Sequence, residues 1–147
     1  MRSFDSINDV LDFAIGREAD AYDFYSNLAA RVDKPKIRKM LEEFAVDELQ
    51  HRLKLEAVKD EKYSMKLEEI GSLDIPDIDD LAKPAADMDY LKALGFAMRK
   101  EKEAFRLYAD LARKVRQEKL TEMFTLLAQE EAKHKLHFEI EYDLAKF

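Results

Sequence analysis

Two Glu-x-x-His pairs, Glu48 with His51 and Glu131 with His134, are the residues of this chain best suited to chemistry, and each lies where an apolar side chain belongs. The first pair interrupts the series Ile37, Leu41, Phe44, Leu55 and Val58, and the second interrupts Leu120, Phe124, Leu127 and Phe138. Both series advance by steps of three and four, as the core-facing stripe of a helix does. A spacing of three places carboxylate and imidazole on one helix face about one turn apart, so both can reach a common ion. Two more glutamates break similar stripes: Glu18 among Leu11, Ile15, Tyr22, Tyr25, Ala29 and Val32, and Glu101 among Leu94, Met98, Phe105, Tyr108, Ala112 and Val115.

Burying one unpaired carboxylate costs several kcal/mol even after relaxation, and crowding like charges adds to that cost. Two divalent cations would cancel the formal charge of four glutamates. Carboxylate oxygens with two imidazoles suit iron or manganese better than a soft metal, although zinc competes for such donors. The candidate ligands are therefore Glu18, Glu48, His51, Glu101, Glu131 and His134. A single Glu-x-x-His on a helix carries little weight, because a surface pair or a satisfied core histidine explains it equally well. His137 is read in that plainer way, as a surface residue.

What lifts the two pairs above that background is repetition: every stripe position but Val58, whose counterpart is Glu141, recurs 83 residues later. Laying residues 11–56 over 94–139 without a gap leaves about one position in three identical, including Phe13, Ala14, Glu18, Tyr25, Glu48 and His51. The chain reads as a duplicated helix hairpin. The first helix is predicted from a Ser6 cap to about Val32, and the second from Pro35 to about Asp60, with proline suited to a first helical turn. The third is predicted from Asp89 to Val115, followed by a tight turn near Arg116-Gln117-Glu118 and a fourth helix. Short turns make antiparallel pairs, so residues equidistant from a turn share a height. Glu18 and Glu48 lie fifteen residues either side of Asp33, and Glu101 and Glu131 fifteen either side of Arg116. Related by a pseudo-twofold, the hairpins would bring all six candidates into one layer of a four-helix bundle.

The hairpin repeats span about 6–60 and 89–143, and residues 61–88, with Gly71, Pro76, Pro84 and several aspartates, lose the helical period and read as a long crossover. The whole of 1–147 is expected to form one domain. Only 3 Gly and 3 Pro, with 39% charged residues, point to an all-α chain. The absence of Cys excludes disulfides, thiolate metal sites, iron–sulfur clusters and thiol nucleophiles. A net charge of −7 with scattered Lys and Arg argues against a nucleic-acid surface. The amino terminus lacks a signal-peptide pattern and no apolar run approaches membrane-spanning length, so a cytoplasmic protein with no membrane partner is expected.

The order Glu, Glu-x-x-His, Glu, Glu-x-x-His resembles the rubrerythrin branch of the ferritin-like superfamily over nearly the whole chain. A Glu from each of two helices, with Glu-x-x-His from each of the other two, is the ligand set of that superfamily. The resemblance implies a ferritin-like antiparallel four-helix bundle holding two iron ions, with Glu48 and Glu131 bridging them and Glu18 and Glu101 as terminal ligands. It further implies oxidation of a di-Fe(II) centre by hydrogen peroxide or dioxygen, in a peroxidase or a ferroxidase, and assembly as a homodimer or higher homo-oligomer. Tyr25 and Tyr108, seven residues beyond Glu18 and Glu101, are candidate donors to ligand carboxylates. Two departures stand out. No four-Cys rubredoxin-like domain is present, so electrons would come from a separate donor protein. The family's peroxidases often carry another Glu one turn after the third-helix ligand, and Ala104 stands there. An iron-storage protein, a di-iron hydroxylase with a pocket lined by Phe44 and Phe105, and a metal-free bundle are the alternatives.

Overall fold

The computed structural model describes Phe4, residues 6–61 and residues 89–146. These form four helices: α1 (Ile7–Arg31), α2 (Pro35–Glu61), α3 (Tyr90–Lys114) and α4 (Glu118–Lys146), with no strand among the described residues. They make two helix hairpins, α1 with α2 and α3 with α4. Apart from Glu61, the expected crossover lies outside the described residues.

In the first hairpin the Ser6 hydroxyl accepts a hydrogen bond from the Asp9 amide at 3.1 Å, which satisfies one of the amides left open at a helix start. Pro35 opens α2, where its missing N–H is not needed. Between the helices, the Arg38 guanidinium donates to the Val32 carbonyl at 2.8 and 3.2 Å and fastens the turn. At the open end, Lys59 reaches Asp12 at 2.5 Å, a contact only an antiparallel pair can make. That hydrogen bond, with Asp12 and Asp60 adding charge, raises the Lys59 pKa above its ordinary 10.5. A raised folded-state value contributes stability below pH 10.5 that is lost as pH climbs through the folded value. The stability gap between wild type and Lys59→Gln is therefore expected to close in alkaline solution and to shrink with salt, as followed by chemical denaturation. A gap indifferent to both would show that packing, not charge, makes this contact.

The second hairpin repeats these devices at equivalent positions. Asp89, the counterpart of Ser6, caps α3 by accepting from the Lys92 amide at 3.1 Å. Thr121, the counterpart of Arg38, donates to the Val115 carbonyl at 3.4 Å. Arg17 lies over the Phe13 ring at 5.4 Å, and Lys100 over Phe96 at 5.6 Å. Arg52 pairs with Glu56 at 2.8 Å, and Lys135 with Glu139 at 2.9 Å. Asp12 and Lys59 have Gly95 and Tyr142 as counterparts, and a Cβ on Gly95 would sit 3.8 Å from the Tyr142 ring. An ion pair in one hairpin is thus an aromatic packed on glycine in the other. The duplication extends from residue pattern to individual contacts.

All the apolar residues predicted to face inward from α2 and α4 are buried: Ile37, Leu41, Phe44, Leu55 and Val58, and Leu120, Phe124, Leu127 and Phe138. The stripes of α1 and α3 need correcting. Tyr22 and its counterpart Phe105 are 37% and 38% exposed, and Ile15 and Met98 are only partly buried. Ala14, Leu28, Ala97, Ala104 and Leu111 occupy the buried face instead. The buried face of each helix is centred to one side of that stripe, toward Ala14 and Leu28 in α1 and Ala97 and Leu111 in α3, which leaves Ile15, Tyr22, Met98 and Phe105 at its margin. No described helix is long and apolar enough to cross a membrane.

Candidate metal centre

Each hairpin builds one half of the expected ligand set. In the first, α1 supplies Glu18 and α2 supplies Glu48 and His51, and all three are buried. The Nδ1 atom of His51 lies 3.5 Å from Glu18 Oε2 and 3.6 Å from Glu48 Oε1. In the second, Nδ1 of His134 lies 3.6 Å from Glu101 Oε1 and 3.7 Å from Glu131 Oε1, and these residues are buried too. Within each triad the ligand atoms fall within 4.8 Å of one another.

At 3.5–3.7 Å the approaches are longer than ordinary hydrogen bonds between imidazole and carboxylate. They are the spacings of donors that converge on one ion: two ligand atoms each about 2.1 Å from a metal, at angles from tetrahedral to somewhat wider, stand about 3.4–3.7 Å apart. Oxygen and nitrogen donors without thiolate fit iron or manganese, and zinc as well. Equal heights about each turn bring the α1 and α3 glutamates to the Glu-x-x-His pairs, as the fifteen-residue spacing requires. The two triads have the same composition, the same ring nitrogen and distances that agree within 0.2 Å.

Tyr25 and Tyr108 are 1% exposed. The Tyr25 ring meets Phe24 and Phe44 edge-on, at centroid distances of 5.6 and 6.5 Å, and Tyr108 stacks on Phe124 at 6.3 Å. Phe44 therefore belongs to the packed core. Phe105, the other residue considered for an organic-substrate pocket, faces outward. His137 is exposed, as its plainer reading requires.

One buried carboxylate has no place in the sequence pattern. Asp110, 4% exposed, pairs with Arg113, and with Lys114 at 3.2 Å. Its signal is a cation three and another four residues further on, the spacing at which helix side chains meet. Asp110 is neutralised by cations of its own helix, whereas the glutamates of the triads face imidazoles.

The model of the rubrerythrin family matches residues 9–142. The chain belongs to the rubrerythrin family. No functionally curated protein matches it. Among solved structures, a hypothetical protein from Pyrococcus furiosus is 22% identical over 95% of this chain and 90% of its own, with a TM-score of 0.76. A Thermotoga maritima protein described as a putative ferritin-like diiron-carboxylate protein is 19% identical over 97% of this chain and 98% of its own, with a TM-score of 0.77. At such identities the likeness concerns the fold, and it places this rubrerythrin-family chain in the all-α, ferritin-like four-helix class expected from its stripes. Family membership and the Glu/His clusters together fit a di-iron protein.

Proposed function

We propose that this rubrerythrin-family protein holds two iron ions through Glu18, Glu48, His51, Glu101, Glu131 and His134 and is a di-iron oxidoreductase using hydrogen peroxide or dioxygen. The observation that carries the reading is the pair of matched triads, each with two buried carboxylates and one imidazole whose Nδ1 faces both at 3.5–3.7 Å. When bound, two Fe(II) ions supply the two electrons that reduce one hydrogen peroxide to two waters, with two protons drawn from solvent. The protein supplies position and environment. Helices α1 and α3 hold one carboxylate each, α2 and α4 hold the pairs at fixed spacing, and the surrounding core keeps bulk water away. The Tyr25 and Tyr108 hydroxyls are assigned to orient ligand carboxylates, a role that outer partners of metal ligands commonly fill. These 147 residues hold no thiolate redox group, and we assign reduction after each turnover to an electron donor outside them.

Ala104 supports a second reading. Its side chain is buried and matches Ala21, so the position where family peroxidases often carry an extra Glu has no carboxylate. The donor set is then as symmetric as the hairpins, which suits iron handling, with oxidised iron as the product. Anaerobic titration with Fe(II), followed by peroxide or oxygen, separates the possibilities. A ferric absorbance saturating at about two irons per chain is expected for the di-iron centre. Sustained turnover with an added reductant would favour the peroxidase, and uptake far beyond that ratio would favour storage. Failure to bind metal at neutral pH would overturn both.

A further inference from the structure

The outer face of α3 carries a charge that the duplication does not explain. The equivalent segments 6–33 and 89–116 share one interior pattern, yet the first holds two Lys or Arg against six Asp or Glu, a net charge of −4. The second holds eight against four, a net charge of +4. Scattered along the sequence, Lys92, Arg99, Lys102, Arg106 and Arg113 fall seven, three, four and seven residues apart, so they line one face of α3, and all are exposed. Their counterparts in α1 are Asp9, Gly16, Ala19, Asp23 and Ala30. An exposed aromatic borders this face in both hairpins: Phe105, 38% exposed, one turn from Lys102, and Tyr22, 37% exposed, one turn from Ala19.

The acids of α3 are engaged within their own hairpin. Glu101 faces His134 at 3.6 Å, the partly buried Glu103 pairs with Lys100 at 3.6 Å, and the buried Asp110 pairs with Arg113, and with Lys114 at 3.2 Å. Arg99 and Lys102 make no ion pair among the described residues. A cationic face thus projects from a chain whose net charge is −7.

We propose that this face of α3 is the docking site of an acidic electron-donor protein, the partner that a di-iron oxidoreductase without its own reducing group requires; the assignment rests on that reading. Charge complementarity selects an acidic partner, and a field of one sign raises encounter rates by about ten- to a thousandfold. Position selects an electron donor. Arg99 and Arg106 lie on the side of α3 turned away from Glu101, and a helix with its side chains is about 10–12 Å across, so a partner seated there stands one helix thickness from a ligand residue. Electron-transfer encounters are among the smallest protein contacts, below about 1,200 Å², an area that one helix face with an aromatic at its border can supply. An extended nucleic acid would run past the stripe onto acidic surface, and a membrane-bound helix would need an apolar face beside its cations. The equivalent face of α1 keeps the aromatic but sets Asp9 and Asp23 around it, so an acidic donor is repelled there. A ligand set that is symmetric between the hairpins is thereby addressed through one of them.

The probe is an oxidised or reduced plant-type ferredoxin, a small acidic iron–sulfur protein that gives up one electron, so two molecules return two Fe(III) to two Fe(II). Calorimetric titration of oxidised ferredoxin into the full-length protein is expected to show binding at about 10 mM salt. That binding should weaken by about tenfold at about 100 mM, as the screening length falls from about 30 to about 10 Å. Combining Arg99→Glu with Lys102→Glu should weaken it by about tenfold or more, whereas Lys36→Glu with Lys39→Glu, the same change of net charge on α2, should weaken it far less. In the iron-loaded, oxidised protein, reduction by reduced ferredoxin, followed as loss of ferric absorbance, should slow by a similar factor in the α3 variant. The Fe(II) affinity of that variant and the ferric absorbance developed with peroxide should match wild type. Absence of ferredoxin binding at low salt, equal weakening by the α2 pair, or a reduction rate indifferent to the α3 reversal would each overturn the docking site. A chain that binds ferredoxin through α3 yet takes up no iron would overturn the di-iron reading and leave the surface itself assigned.

Discussion

Alanine at Glu131 or His134 is expected to lower the affinity for Fe(II) by at least about a hundredfold, because losing even an outer partner of a metal ligand costs about 10–100-fold. The same loss is expected from alanine at Glu48 or His51. The reason for equal effects is geometric: the two triads repeat one arrangement, with imidazole-to-carboxylate distances of 3.5 and 3.6 Å in one and 3.6 and 3.7 Å in the other. His137→Ala is the control. It changes an exposed imidazole one turn from His134 without touching either triad, and its affinity should match wild type. Anaerobic competition with a chromophoric chelator measures all five variants, and circular dichroism checks that each is folded. If His137→Ala weakened binding as much as His134→Ala, the ligand-bearing face of α4 would have been misassigned.

The legibility of the site follows from the same repetition. Polar residues at core positions of α2 and α4 stand out because the apolar steps around them are regular, and those helices are buried as expected at every apolar stripe position. The Ser6 cap is legible for a local reason: it needs only an amide three residues ahead, a relation written within four residues of sequence, and Asp89, expected as the first residue of its helix, caps α3 in the same way. On α1 and α3 the pattern misleads at Tyr22 and Phe105, because an aromatic residue counts as apolar in a pattern yet tolerates the margin of a helix face. Asp110 is hidden for the opposite reason. It looks like an ordinary surface aspartate until packing buries it, and sequence periodicity does not report which cations fold back over a carboxylate.

Replacing Glu48 or Glu131 with leucine is expected to stabilise the metal-free protein while removing its response to metal. In the metal-free state each triad keeps two carboxylates and an imidazole buried together. Desolvating such groups costs several kcal/mol per ion, and exchanging buried charges for apolar groups of similar volume is often neutral or stabilising by about 1–4 kcal/mol. For a chain of this length each kcal/mol moves the melting temperature by roughly 2–4 °C. Wild type should gain through binding instead: metal at about a thousand times its dissociation constant stabilises the folded state by about 4 kcal/mol, an increase on the order of 10 °C. The leucine variants should therefore melt above metal-free wild type and below the metal-loaded protein, and added metal should shift them far less. Calorimetry with and without Fe(II) under anaerobic conditions reads both effects. If leucine lowered the melting temperature of the metal-free form, the buried carboxylates would be structural partners whose hydrogen bonds outweigh their desolvation. Their convergence on His51 and His134 would then reflect the architecture of the core, with no ion required to explain it.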